Sequence, residues 1–392
     1  MKTKPISKHF FRRSPFFILC ILVFAYSCNL KSEPPLFVPA SKSPLSVGNG
    51  PADVKLRDIN GDGKLDIITV NYESHDVTIL PGDGKGSFNR IKNSPVVDTT
   101  AHLVEIGDVN NDSKPDLVIS YHHNYGVAVL LGDGGGDFSP AAGSPFLVHN
   151  ADNPHNHGLA LGDVNKDGNL DLVTSNHGHH SVSVMLGDGK GSFKSAKGSP
   201  FAVGRGPYPL ALADVNKDRN LDIITPNVSS NDVTVLLGDG KAGFTQAPKS
   251  PYSVSHRPFF ATTGDLNGDG HLDIITSHDD INEITFLLGE GNGNFKPASN
   301  SPFDLGMQSW RMVITDINGD GKNDLVTGNS GGDYVTVLVG DGKGDFKHAP
   351  GSPFRVESSP NRIAVGDLNG DGKSDIVASH SSRDKVTILL AR

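Results

Sequence analysis

Short apolar runs alternate with polar, glycine-rich turns along almost the whole chain. The stretch from Leu159 to Val203 shows the pattern. Leu159-Ala160-Leu161-Gly162 leads into an acidic loop, Asp163 to Asp171, and then into Leu172-Val173-Thr174-Ser175. A polar connection, Asn176 to Ser181, precedes the apolar run Val182 to Leu186. A Gly-Asp-Gly turn (Gly187 to Gly189) then enters Phe193 to Val203, which contains Gly198-Ser199-Pro200-Phe201. β-Branched runs of this length bounded by Gly, Asn, Asp and Pro predict strands, here four in succession, termed A to D. No segment carries the 3.6-residue apolar period of a helix, so the chain is expected to be all-β.

The acidic loop fixes the organisation. Its pattern, D-x-N-x-D-x-x-x-D, begins at Asp58, Asp108, Asp163, Asp214, Asp265, Asp316 and Asp367, at intervals of 50, 55 and then 51 residues. A unit of this length cannot bury its own apolar face, so the copies must pack on one another. The two ends of the chain choose between an open array and a ring. The last unit stops after its third strand, Val386 to Leu390, and the missing fourth lies at the other end. Phe37 to Leu45 matches Phe138 to Phe146 almost position by position. An open array would leave both terminal strand edges bare, whereas the permuted strand closes a ring. The predicted fold is an all-β, seven-bladed β-propeller with four-stranded blades, its N-terminal strand completing the last blade.

Composition changes this picture little. Gly and Pro make up 71 residues, but they recur at fixed repeat positions and serve as turn punctuation. A net charge of −9 argues against a nucleic-acid partner, which needs a basic surface. Residues 1–27 read as a signal peptide: Lys2, Lys4, Lys8, Arg12 and Arg13 precede an apolar run from Phe16 to Tyr26, too short to span a bilayer. Ala25-Tyr26-Ser27-Cys28 resembles a bacterial lipobox with Cys28 lipidated, and ordinary cleavage after Ser27 fits the small residues as well. The first reading makes residues 28–35 a short tether and residues 36–392 the propeller of an exported bacterial lipoprotein at the outer membrane or cell surface, touching membrane only through its anchor. Cys20 and Cys28 are the only cysteines, so the repeats use no disulfide.

The acidic loops, the Gly-x-Phe turns (Gly86-Ser87-Phe88, Gly191-Ser192-Phe193) and the Ser-Pro-Phe strands resemble the FG-GAP/VCBS repeat family, which includes the seven-bladed propeller of integrin α subunits. The resemblance runs from residue 36 to 392. It implies the propeller and calcium binding, and it implies no single activity, because the family hosts adhesins, lectin-like modules and a few lyases.

The loops themselves name a ligand chemistry. Ca²⁺ takes six to eight oxygen donors, and each loop presents carboxylates and an amide oxygen at alternate positions. The expected ligand sets are Asp58, Asn60, Asp62 and Asp66; Asp108, Asn110, Asp112 and Asp116; Asp163, Asn165, Asp167 and Asp171; Asp214, Asn216, Asp218 and Asp222; Asp265, Asn267, Asp269 and Asp273; Asp316, Asn318, Asp320 and Asp324; Asp367, Asn369, Asp371 and Asp375. Turn propensity alone would not place three mutually repelling carboxylates at the same offsets seven times. Position six calls for Gly with positive φ, and Ser113 and Arg219 stand there in the second and fourth copies, which are expected to bind more weakly. Without the five basic residues of the leader the net charge moves from −9 to −14, which seven divalent ions would offset. The calcium is expected to be structural.

Strand alternation puts the acidic loops on one face and the B–C and D–A connections on the other, where the repeats differ most. Most histidines fall there, eight of them between residues 122 and 180. Six residues before each loop the repeats read Ala52, His102, His157, Tyr208, Phe259, Trp310 and Asn361. His102, His157, His177, Tyr208, Phe259, Trp310 and Arg311 are therefore the candidate ligand residues. The bland reading is that variable loops accumulate His and that strand-entry aromatics pack between blades. No His-x₃-His spacing on a rigid element marks a transition-metal site. The expected function is a binding or adhesion module for a glycan or protein. The alternative is a metal-dependent lyase or lactonase-like enzyme working on the His-rich face, although no Ser-His-Asp or Cys-His set is visible.

Overall fold

The computed structural model describes residues 34–91, 95–97, 101–149, 152 and 155–392. The proposed leader, Cys28 and all of the tether before Pro34 lie outside them. Each blade is an antiparallel sheet with strands ordered A to D; the last takes its D from the chain's beginning, and in the first D appears among the described residues only as the bridges Asp76–Val96 and Gly82–Phe88. In blade 3 the strands are Asn156–Gly162, Asp171–Asn176, Ser181–Gly187 and a divided fourth. Strand B is buried at every position in all seven blades, which is why it reads as an unbroken β-branched run rather than an alternating one.

The ring closes. Each blade's strand A packs against the next, and that of the last blade (Arg362–Gly366) packs against that of the first (Pro51–Arg57). The chain's beginning completes the last sheet: Phe37 pairs with Ala391, Val38 with Leu390 and Pro39 with Leu389, followed by Leu45 with Val386. Among the described residues the core is divided into seven clusters. Apolar layers lie between neighbouring blades, as where Ile68, Val70, Val77 and Ile79 of the first blade meet Val104, Leu117 and Ile119 of the second.

Strand D differs from the expectation of one run. It is two pieces, Phe193–Ser195 and Phe201–Ala202, each paired with strand C. Between them the chain leaves the ladder, and Ser199 Oγ accepts the Val184 amide at 2.9 Å in its place. The serine of each Ser-Pro pair does this in six blades, including Ser43 of the N-terminal strand, which accepts Ile388 N at 2.7 Å. The Ser-Pro-Phe signature is thus a repair for a broken ladder, because a buried strand amide without an acceptor is costly.

A second repeated pair locks strands B and C. The Asn71 amide donates to Thr78 Oγ1 at 2.9 Å, and Asn176, Asn227 and Asn329 do the same to Ser183, Thr234 and Thr336. Blades 5 and 7 use histidine: His278 Nε2 meets Thr285 Oγ1 at 2.9 Å and His380 Nε2 meets Thr387 Oγ1 at 2.8 Å. Blade 2 has Tyr121 and Ala128 at these places.

His278 is fully buried, its Nδ1 2.9 Å from the His256 carbonyl, and burial pushes its pKa down to about 4. The native state keeps it neutral while the unfolded chain protonates it near 6.5, so stability falls as pH drops from about 6.5 toward 4. His278→Asn retains the bond to Thr285, as four other blades do. The substituted protein is expected to lose about 2 kcal/mol less stability than wild type between pH 7.5 and 5. Denaturant melts at the two pH values measure this, and equal losses would contradict it.

Candidate functional site

The acidic loops and the mouth of the central channel occupy opposite faces. In the first loop, Asp58 Oδ1 accepts the amides of Gly61 and Asp62, and its Oδ2 accepts that of Gly63. Asn60 Oδ1 accepts Asp62 N, and Asp62 Oδ1 accepts Lys64 N. The loop is wound around its own side-chain oxygens, and four of these five bonds recur in the third loop at Asp163, Asn165 and Asp167. Ser113 and Arg219 hold φ of +66° and +67°, so the second and fourth loops take the glycine conformation without glycine.

The position-nine aspartates are stapled into the blades. Asp66 is fully buried, with Oδ2 accepting Ile59 N at 3.0 Å and Oδ1 accepting Gly82 N at 2.8 Å. All seven copies make this pair of bonds, the last with Leu368 and Ala391. Burial pushes Asp171, Asp222 and Asp273 up to about 6 against the pull of their amide donors, with the neighbouring loop aspartates adding to the rise. The fit to a hard cation rests on the donor set: each loop gathers oxygen acceptors, and each position-nine carboxylate has lone pairs left after accepting two amides.

At the opposite end lies a cavity of about 390 Å³. The positions six residues before each loop, Ala52, His102, His157, Tyr208, Phe259, Trp310 and Asn361, all line it. The cause is a β-bulge that sequence reading missed. The strand A register slips between Pro51 and Asp53, Ala101 and Leu103, Asn156 and Gly158, Pro258 and Phe260, and Ser309 and Arg311. In each, the bulged residue is the cavity residue, and a bulge re-aims one side chain without disturbing the strand beyond it.

The bulky members form an arc. The His157 ring stacks on Tyr208 at 4.2 Å, Tyr208 lies 4.7 Å from Phe259, and Phe259 stacks on Trp310 at 5.3 Å. Small Ala52 and polar Asn361 leave the gap that the cavity fills, beside Tyr72 and Glu73. His177 does not line the cavity. Its ring packs behind the arc, 5.0 Å from His157 and 5.2 Å from Tyr208. Arg311 points elsewhere too: it lies deeper in the channel with its guanidinium 4.5 Å over the Phe260 ring. The cation at the cavity wall is Arg362, one residue after Asn361. Arg311 and Arg362 share a repeat position, and that equivalence was the available signal.

Polar atoms at the mouth await partners. Trp310 Nε1, His102 Nδ1, His157 Nε2 and Arg362 Nε make no hydrogen bond among the described residues. The nearest carboxylate to Arg362 is Asp53, at 3.8 Å. Burial holds His102 and His157 far below the usual histidine range and His122 down to about 4, with the Arg362 charge adding at His102 and neighbouring histidines at all three, so these rings are neutral. The mouth therefore offers stacked aromatic faces, neutral imidazoles and one guanidinium. Such a surface suits a ligand with an apolar ring face and polar edges.

The repeats match the model of the FG-GAP-like repeat at residues 58–119, 108–174, 163–225, 227–276, 265–327 and 316–378. Cartilage acidic protein 1 of Homo sapiens and that of Mus musculus are each 27% identical over 157 residues, covering 37% of this chain and 24% of theirs. The chain thus matches only about a quarter of the length of these curated relatives. Among solved structures, BBS1N in complex with ARL6DN aligns with a TM-score of 0.62 at 12% identity, over 91% of this chain and 98% of that one. An Agrocybe aegerita lectin that recognises non-reducing terminal N-acetylglucosamine aligns with a TM-score of 0.56 at 20% identity, over 86% of each chain. A virginiamycin B lyase from Staphylococcus aureus aligns with a TM-score of 0.56 at 13% identity, over 91% of this chain and 98% of that one. At these identities the structural likeness concerns the fold alone.

Proposed function

Because the chain belongs to the FG-GAP-like repeat family and turns its most variable strand position into one cavity, we propose that it is a binding module. The channel mouth takes a terminal sugar of a glycan or a protruding side chain of a protein, and calcium in the seven acidic loops stiffens the other face. The observation that carries this reading is the convergence of all seven bulged or equivalent positions on the 390 Å³ cavity. A sugar lays its apolar face on Tyr208, Phe259 or Trp310, while its hydroxyls reach the free imidazole and guanidinium nitrogens. The propeller neighbours include a lectin and a protein-binding complex, which is the range such a scaffold serves. The basic and apolar segments before Cys28 support export and lipid anchoring at a bacterial surface, eight residues before Leu36.

Retention on glycan and protein arrays tests the reading. The full chain is expected to bind a defined subset, and Tyr208→Ala or Trp310→Ala to weaken it by roughly 30-fold, the effect of losing a 2 kcal/mol anchor. An array with no bound feature, or binding indifferent to both substitutions, would overturn it. The gathered histidines favour a second reading, a metal-dependent lyase or lactonase-like enzyme. Turnover that stops when transition metal is removed in the presence of calcium would establish that instead.

A further inference from the structure

The histidines beside the cavity form an arrangement that ligand stacking does not explain. We propose that His122, His123 and His155 bind one divalent transition-metal ion of borderline softness, zinc foremost, with a coordination position open toward the channel mouth. One ring nitrogen from each of the three lies within 4.8 Å of the others, the one such group of His, Cys, Asp or Glu among the described residues. His122 Nδ1 and His123 Nε2 are 3.2 Å apart. Two nitrogens on a tetrahedral ion with bonds of 2.0–2.1 Å stand roughly 3.3 Å apart, so this pair already has the required spacing. The His155 ring is 4.5 Å from that of His122 and 5.8 Å from that of His123, centre to centre, and a side-chain rotation closes the third corner.

The backbone holds the three in place. His122 and His123 directly follow strand B of blade 2, and His155 directly precedes strand A of blade 3. The Asn156 amide donates to the His122 carbonyl at 3.1 Å, tying the ligand-bearing segments across the blade boundary, and the His177 amide donates to the His155 carbonyl at 2.9 Å within blade 3. The set spans two repeats, so no spacing along one strand or helix announces it.

Ligand chemistry decides the ion. Three imidazoles with no carboxylate in the group suit zinc, copper, nickel or cobalt, and disfavour calcium, which the oxygen-rich loops on the other face take. Three protein ligands leave a tetrahedral ion one position for water or a ligand atom. His122 and His123 both line the cavity, so that position opens onto it. The His102 and His157 rings lie 4.9 and 4.7 Å from the His122 ring, and each carries an unpartnered nitrogen able to hydrogen-bond whatever the ion holds. A merely packed histidine cluster would leave those buried nitrogens unsatisfied.

The site stands apart from the sugar or side-chain reading, since array retention in calcium buffer free of transition metal tests that alone. For the metal, the full chain in excess calcium is titrated with Co²⁺ and Zn²⁺. One equivalent is expected to bind, with a Co²⁺ absorption spectrum of nitrogen coordination. His122→Gln and His155→Gln are each expected to weaken it by more than the roughly 10–100-fold that losing an outer-shell partner costs. His348→Gln, on a strand D, is expected to leave binding unchanged. Electron paramagnetic resonance of wild type with one equivalent of Cu²⁺ counts the coordinating nitrogens without any substitution. Fewer than three nitrogens, no uptake in excess calcium, or uptake unaltered in both variants would overturn the site.

Discussion

Removing calcium from the full chain is expected to lower its melting temperature by roughly 27 °C, with recovery on adding calcium back. An ion that binds only the folded state at 100 times its dissociation constant stabilises by about 2.7 kcal/mol, so seven sites contribute on the order of 19 kcal/mol. A ring of this size melts with an entropy of about 0.7 kcal/mol/K, and the ratio gives the shift. The physical origin is the acidic face, where position-nine carboxylates sit fully buried beside two further aspartates in every repeat. Without a cation these groups repel one another and burial disfavours their charge. Ser113→Gly and Arg219→Gly are expected to add about 1 kcal/mol each in calcium, because both replace a side chain held at positive φ. Thermal melts with calcium and with EDTA decide the matter. Identical melting temperatures in the two would end the calcium assignment.

The second large effect concerns the latch. Deleting residues 34–47 is expected to unseat the last blade, exposing its strand C (Lys385–Ala391) as a free edge and driving self-association. Phe37→Ala probes the same joint more gently. Phe37 is 2% exposed and packs edge-on against Phe354 at 5.3 Å, between the last two blades. Its truncation is expected to cost about 3–5 kcal/mol, as large aromatic deletions in cores do. The flanking bonds, Leu36 N to Pro350 O and Arg392 N to Leu36 O, both 3.0 Å, hold the backbone in place, so the loss belongs to the side chain. Native mass and chemical denaturation test both variants. A deleted form that stays monomeric with unchanged stability would show that the ring does not need its N-terminal strand.

Much of the fold is local enough to read directly. Asp163 to Asp171 makes its turn through side-chain bonds to amides two to five residues away, so its shape is written in nine consecutive residues. The apolar runs on either side have strand period and strand length, and the match between Phe37 to Leu45 and Phe138 to Phe146 revealed the closing strand. Strand D was less legible. Its Ser-Pro pair looked like part of a continuous run, and only the partner strand shows that Ser199 Oγ replaces a missing ladder bond.

The mouth divides in the same way. Aligning the repeats placed His102, His157, Tyr208, Phe259 and Trp310 at one repeat position, which correctly put them in one ring. What alignment could not supply was the bulge that turns His102, His157, Phe259 and Trp310 inward, since a register slip depends on the neighbouring strand's hydrogen bonds. Arg311 stands on the channel wall beneath, and Arg362, at the same repeat position, stands beside the cavity. The meeting of His122, His123 and His155 is likewise a property of two adjacent blades. Sequence alone determined the repeat, the strand count and the closing strand, because turns and strand periods are set by near neighbours. Only tertiary structure decided which side chains share a site, because ring closure brings together residues that the chain keeps tens of positions apart.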